Sequence, residues 1–156
     1  MTHPQPNVVE TTRRFVALMQ DPQVTVNTLA PHLGRELYHE RPDVSSAFTY
    51  YFAPADPRFQ YVTVDQYQFS PGGNAPYDLE LTLADHAVLH LHDLSQAFGQ
   101  WHRLPMIGEA PPSVEFKING PHQKYRLVLD VDLDALPQGT NPRVQKLTIF
   151  RYANFE

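Results

Sequence analysis

The chain has 156 residues, of which 42% are hydrophobic and none is cysteine. Without cysteine there are no disulfides, no thiol catalysis and no thiolate metal sites. Twelve basic against seventeen acidic residues give a net charge of -5, which disfavours nucleic acid and favours a basic protein as the partner. No apolar run approaches the roughly 20 residues that cross a bilayer, and the N-terminus lacks the features of an export signal. We therefore expect a cytoplasmic protein that binds neither membrane nor nucleic acid.

The N-terminal segment is predicted to form an amphipathic helix within residues 7–21. Val8, Phe15, Val16 and Met19 lie on one stripe at helical spacing. The helix is expected to end before Pro22, because proline disfavours a helical conformation in the residue that precedes it.

Two segments about 65 residues apart share one pattern of apolar residues. Val24–Gly34 lies over Leu89–Gly99 without a gap, so that the apolar anchors and the final glycines coincide. Thr28 and Asp93 each precede a short helical pattern and are predicted to cap it, while the glycines can take the left-handed conformation that ends a helix. The pattern predicts an internal repeat, in which each unit begins with an extended piece and a helix of about two turns.

Strand signals follow each of these helices, after the proline-bearing connectors 35–46 and 100–113. The predicted strands cover residues 47–52, 59–69 and 77–83 in the first half, and 114–118, 125–133 and 144–152 in the second half. We expect a single α+β domain of residues 1–156, with the N-terminal helix followed by pseudo-repeats 22–84 and 87–153. The tandem helix-plus-antiparallel-sheet repeats should form one sheet of at least six strands, with the helices on one face.

Alternation along the strands assigns side chains to the two faces of that sheet. If Val62 and Val64 point inward, the residues that alternate with them along the strand point outward. Aromatic and charged residues on such an outward face are typical of an interface. The predicted partner-binding residues are Tyr51, Phe59, Tyr61, Asp65, Tyr67, Trp101, Arg126, Asp130 and Asp132. The alternatives are that the aromatics lie under a loop or the N-terminal helix, form a homodimer contact or line a small-ligand cleft, and that Trp101 is a packing plug.

A cluster of histidines precedes the second helix. In an extended segment His90 and His92 would point to one face, a spacing suited to two imidazoles on a zinc or nickel ion. Thr25 and Asn27 hold the equivalent positions in the first half, which favours the polar side of a half-buried strand. We therefore expect no metal and no cofactor.

Two carboxylates, Asp130 and Asp132, lie on one side of a predicted strand. Neighbouring carboxylates raise each other's pKa and can serve acid/base chemistry. The alternative function is therefore a small-ligand-binding or hydrolytic α+β enzyme that uses Asp130 and Asp132 or the His90/His92 cluster. The sequence has no nucleophile elbow, no zinc-protease motif and no phosphate-binding glycine loop. These absences favour a binding protein over an enzyme.

The order of elements resembles the β-lactamase inhibitor protein family, in which two repeats of about 70 residues form one concave sheet that clasps an enzyme. The single unit is similar to the small lipoprotein of the outer-membrane β-barrel assembly machine. The resemblance rests on the helix endings Leu29–Gly34 and Leu94–Gly99, and the chain lacks the cysteines of the inhibitor and the lipobox of the lipoprotein. It implies a non-enzymatic binding protein, and a cysteine-free acidic chain fits an intracellular immunity protein that neutralises a toxin or effector enzyme.

Overall fold

The computed structural model describes residues 7–40, 48–66, 76–118, 125–135 and 141–153. The helices are α1 Val8–Gln20, α2 Val26–Leu33 and α3 Leu91–Phe98. The strands are β1 Gly34–Glu40, β2 Phe48–Pro54, β3 Phe59–Gln66, β4 Asp78–Leu83, β5 Trp101–Arg103, β6 Ser113–Ile118, β7 Tyr125–Leu133 and β8 Val144–Ala153.

These strands form one antiparallel sheet in the order β1-β2-β3-β4-β8-β7-β6-β5. Each half of the chain contributes a helix followed by four strands that pair in sequence, and the halves join where β4 pairs with β8. The predicted α+β fold with one antiparallel sheet is confirmed. The two edge strands, β1 and β5, lie in segments that the sequence predicted to be connectors. The common strand order fits a duplication, which remains a prediction.

Each helix begins at a polar cap. The Asn7 side chain accepts a hydrogen bond from the Glu10 amide at the start of α1, at 2.8 Å. At α2, Thr25 is the cap and Thr28 is the third helical residue, so the predicted cap was placed three residues late. The same shift applies to Asp93, whose carboxylate accepts from the backbone amide of His90 at 3.1 Å.

The equivalent glycines end α2 and α3 as predicted. Gly34 has φ of 140° and Gly99 has φ of 91°, values that residues with a Cβ rarely adopt. At Gly34 a Cβ would also overlap the backbone carbonyl of Ala53, because β1 begins there directly against β2.

All three helices pack on the same face of the sheet. Helix α1 lies against β7, β8 and α3, while α2 lies against β1, β2 and β3. Buried side chains of the helices, such as Met19, Leu29 and Leu94, join the inward side chains of the strands in one core cluster. In the described part of the chain, no helix is long and apolar enough to cross a membrane.

Candidate binding face of the sheet

The face of the sheet opposite the helices, called the free face below, carries mostly polar side chains. None of the described helices packs on it. Strand registers bring the following side chains to the free face: Arg35, Tyr38, Glu40, Thr49, Tyr51, Tyr61, Thr63, Asp65, Asp78, Glu80, Thr82, Glu115, Lys117, Val128, Asp130, Asp132, Lys146, Thr148 and Phe150. Carboxylates outnumber cations in this set, so the face attracts positive charge.

One acidic cluster spans β4, β8, β7 and β6 in the second half of the sheet. Asp130 lies opposite Glu115 on one neighbouring strand and Thr148 on the other. Burial raises the pKa of Asp130 to about 6, with further contributions from the charges of Glu115 and Asp132. The Oδ1 atom of Asp130 is buried, and no described residue donates a hydrogen bond to it. A cation placed here would relieve both the repulsion and the unmet hydrogen bond.

Lys146 partly neutralises this cluster. Its Nζ atom lies 2.8 Å from Oε1 of Glu80 and 3.4 Å from Oδ2 of Asp132. The lysine therefore occupies the side of the cluster near β4, and Asp130 and Glu115 retain unopposed negative charge among the contacts described.

A pair of carboxyl groups, Asp65 and Asp78, lies on the free face where β3 ends and β4 begins. They are directly opposite each other on β3 and β4, and their side chains are hydrogen-bonded. The Thr49 hydroxyl donates to Oδ1 of Asp65 at 2.6 Å. Asp78 is only 7% exposed, and its desolvation together with the adjacent Asp65 raises its pKa to about 8. One proton is therefore held between the two groups at neutral pH.

Aromatic side chains occupy the free face beside the acidic residues. The ring of Tyr51 stacks on that of Tyr38, with centroids 4.5 Å apart, and its hydroxyl donates to Oε1 of Glu40 at 2.9 Å. That hydrogen bond raises the pKa of Tyr51 to about 12. Tyr61 is 60% exposed on the same face. Exposed tyrosines beside carboxylates combine apolar contact area with polar tips.

Most of the predicted partner-binding residues lie on the free face. Tyr51, Tyr61, Asp65, Asp130 and Asp132 are placed there by the alternation that predicted them. Tyr67 and the side chain of Arg126 lie outside the described part of the structure.

The prediction for Phe59 is wrong. A register shift between Phe59 and Tyr61 turns the two residues to opposite faces of the sheet. Phe59 is 4% exposed and packs edge-on against Phe15 of α1, with centroids 6.3 Å apart. It belongs to the core and contributes nothing to the free face.

Trp101 lies on the helix side of the sheet and not on the free face. It pairs with Phe116 across β5 and β6, and its partly buried ring packs against the core. This position matches the packing plug rather than the binding anchor, and removes Trp101 from the candidate face.

His90 has an extended backbone directly before α3, whereas His92 lies inside the helix, so the two histidines are not on one continuous strand as predicted. His90 is the residue before the helix, and the His92 amide donates to Oδ1 of Asn141 at 2.8 Å. Among the described residues, no three histidine or acidic side chains are grouped as a metal site would require.

The face also contains residues that the sequence analysis did not identify, among them Asp78, Glu80 and Lys146. Asp78 and Glu80 alternate with Leu79 and Leu81, so the period-two pattern that identified β3 also applied to β4. The pairing of Lys146 with both β4 and β7 depends on strand order, which no local pattern contains.

The hollows lined by described residues include two beside the sheet. One, of about 260 Å³, includes Gln60, Asp134 and Arg143 in its lining, and the other, of about 270 Å³, includes His32 and Arg58. Both are smaller than the roughly 300 to 1,000 Å³ of typical small-molecule pockets.

Comparisons with protein-family models, with curated proteins and with solved structures found no match to this chain.

Proposed function

We propose that this protein is a non-enzymatic binding module that captures a basic protein partner on the free face of its sheet. The main support for this proposal is the cluster around Asp130. Its buried Oδ1 atom has no hydrogen-bond partner among the described residues and lies beside Glu115 and Asp132. A guanidinium or ammonium group from a partner would supply both the missing donor and the missing charge.

The size of the face suits a protein partner. Eight strands spaced about 4.8 Å apart and about 20 Å long present roughly 700 Å². A standard protein interface covers about 800 Å² on each partner. Tyr51 and Tyr61 add apolar contact area beside the acidic clusters, as interface hot spots do.

The class of partner follows from charge and from the stated resemblance. The chain has a net charge of -5, and the described free face is acidic, so a basic partner is favoured electrostatically. The resemblance to tandem-repeat inhibitor proteins supports an immunity or inhibitor protein that neutralises a toxin or effector enzyme. The resemblance itself remains a prediction.

Acid/base catalysis by Asp130 is the second candidate, because a carboxyl group with a pKa of about 6 can exchange protons near neutral pH. Against it, Asp130 lies on a sheet face and lines neither of the two hollows described above. Its neighbour Asp132 is engaged by Lys146. Binding therefore fits the geometry better than hydrolysis.

The test is affinity capture from a native lysate with matched baits, followed by quantitative mass spectrometry. The bait Glu115→Gln/Asp130→Asn removes two charges from the free face, and Glu10→Gln/Glu109→Gln removes two exposed charges elsewhere. We expect the wild type and the control to capture the same basic protein, and the face variant to lose at least about tenfold of it. Equal capture by all three baits would refute the proposal.

A further inference from the structure

We propose that two copies of this chain pair through β1, antiparallel and symmetrically about Tyr38. Strand β1 is the outermost strand at one edge of the sheet, and all residues from Arg35 to Glu40 are exposed. Leu37 and Tyr38 are each 53% exposed. The opposite edge strand, β5, has only three residues, and short edge strands are one way in which proteins avoid edge pairing.

The register within β1 determines which side chains would meet in such a pair. Glu36 lies opposite Phe52 of β2, and Tyr38 lies opposite Tyr51, the next residue along, so that Leu37 is the extra residue of a bulge. Arg35, Tyr38 and Glu40 consequently share the free face, whereas Glu36 and His39 lie on the helix side.

Reversing this strand against itself gives complementary pairs on both faces. In this register Tyr38 lies opposite Tyr38 of the second copy, and the bulge residue Leu37 of each copy has no partner across the contact. Arg35 of one copy then faces Glu40 of the other, and Glu36 faces His39. Each pair occurs twice because of the two-fold symmetry. Opposite charges directly across two strands stabilise pairing, whereas like charges oppose it. Arg35 and Glu40 therefore pair as opposite charges at both ends of the contact, and the His39 ring can donate a hydrogen bond to Glu36. This complementarity of β1 with its own reverse identifies a second copy as the occupant.

The contacts that these side chains make within one copy do not prevent them from pairing with a second copy. The Nδ1 atom of His39 lies 3.2 Å from Oε1 of Glu36, with the two side chains 58% and 45% exposed. Such exposed contacts contribute little and rearrange at small cost. The Tyr51 hydroxyl reaches Oε1 of Glu40, and the carboxylate has a second oxygen that can accept from a guanidinium.

Pairing through β1 would extend the sheet across both copies. A two-fold axis perpendicular to the sheet keeps the two free faces on the same side, so that their acidic surfaces become continuous. The pairing contact is the edge strand β1, whereas the proposed partner site centres on Asp130 of β7 near the other edge of the sheet, so either can fail without the other. The contact is small, so we expect a dimer that depends on protein concentration.

Charge reversal tests the register. Sedimentation of the wild type over about 5 to 500 µM should show a monomer–dimer equilibrium. Arg35→Glu alone and Glu40→Arg alone each place like charges opposite one another at both ends of the contact, and each should weaken self-association at least about tenfold. An equimolar mixture of the two variants restores every opposite-charge pair and should form a heterodimer.

Two results would overturn the inference. A wild type that stays monomeric over the whole range shows that this edge does not pair with itself. A dimer that forms equally well in Arg35→Glu, or that is not recovered on mixing the variants, lies on another surface. Circular dichroism of each variant distinguishes lost association from lost folding, and the mixing experiment requires only that both variants fold.

Discussion

The buried carboxyl Asp78 gives the sharpest prediction, because its protonation links stability to pH. Its pKa rises from the ordinary value of 3.8 to about 8 in the folded protein, through desolvation and the adjacent Asp65. Between these values the folded state holds a proton that the unfolded state releases. The contribution of Asp78 to the free energy of unfolding is therefore greatest below about pH 4 and is lost as the pH rises towards 8.

The magnitude follows from the one proton involved. Each pH unit within this window costs about 1.4 kcal/mol, so the contribution of Asp78 falls by about 2.7 kcal/mol between about pH 5 and pH 7. Asp78→Asn removes the titration, and its amide can still donate to Asp65. The variant should be more stable relative to the wild type by that amount at pH 7 than at pH 5.

Urea unfolding of both proteins, followed by the fluorescence of Trp101 at several pH values, measures this difference. Asp130→Asn is the matched comparison, because the pKa of Asp130 is raised only to about 6. The difference in unfolding free energy between Asp130→Asn and the wild type should stop changing above about pH 6. The corresponding difference for Asp78→Asn should keep changing up to about pH 8. Parallel pH profiles for the wild type and Asp78→Asn would refute the shared-proton interpretation.

Three further predictions concern the helix endings and the proposed binding face. Gly34→Ala should cost on the order of 4 kcal/mol of stability or abolish folding, because the added Cβ overlaps the carbonyl of Ala53. In Gly99→Ala the added Cβ meets no atom within 4 Å, so this variant should lose only about 1–3 kcal/mol, for its backbone conformation. Thermal unfolding of the two variants measures the difference. Tyr61→Ala/Asp130→Ala should weaken binding of the captured partner at least about tenfold in calorimetry, with circular dichroism to show that the variant is folded, and undiminished binding by the folded variant would exclude this surface. Wild-type affinity should increase between about pH 5 and 7 as Asp130 ionises, so a pH-independent affinity in the same titration would contradict its role in binding a cation.

The alternation of apolar residues predicted the central strands because each of them buries one face. In β7, Leu129 and Val131 are fully buried while Asp130 faces the other side. Strand β1 has no such signal, since the side chains from Arg35 to Glu40 are exposed. An edge strand that is held mainly by backbone hydrogen bonds does not need alternating apolar and polar residues, so the sequence gives little sign of it.

The helices, their glycine ends and the face on which most strand residues lie were predictable from the sequence, because they depend on local periodicity and on backbone conformation. Which side chains meet across neighbouring strands was not predictable in this way. One extra residue before Tyr61 sent Phe59 into the core, and the pairing of β3 with β4 brought Asp65 against Asp78. Register is a property of two chain segments, and a shift of one residue exchanges the two faces of a strand. The acidic clusters of the free face therefore appear only when the sheet is assembled.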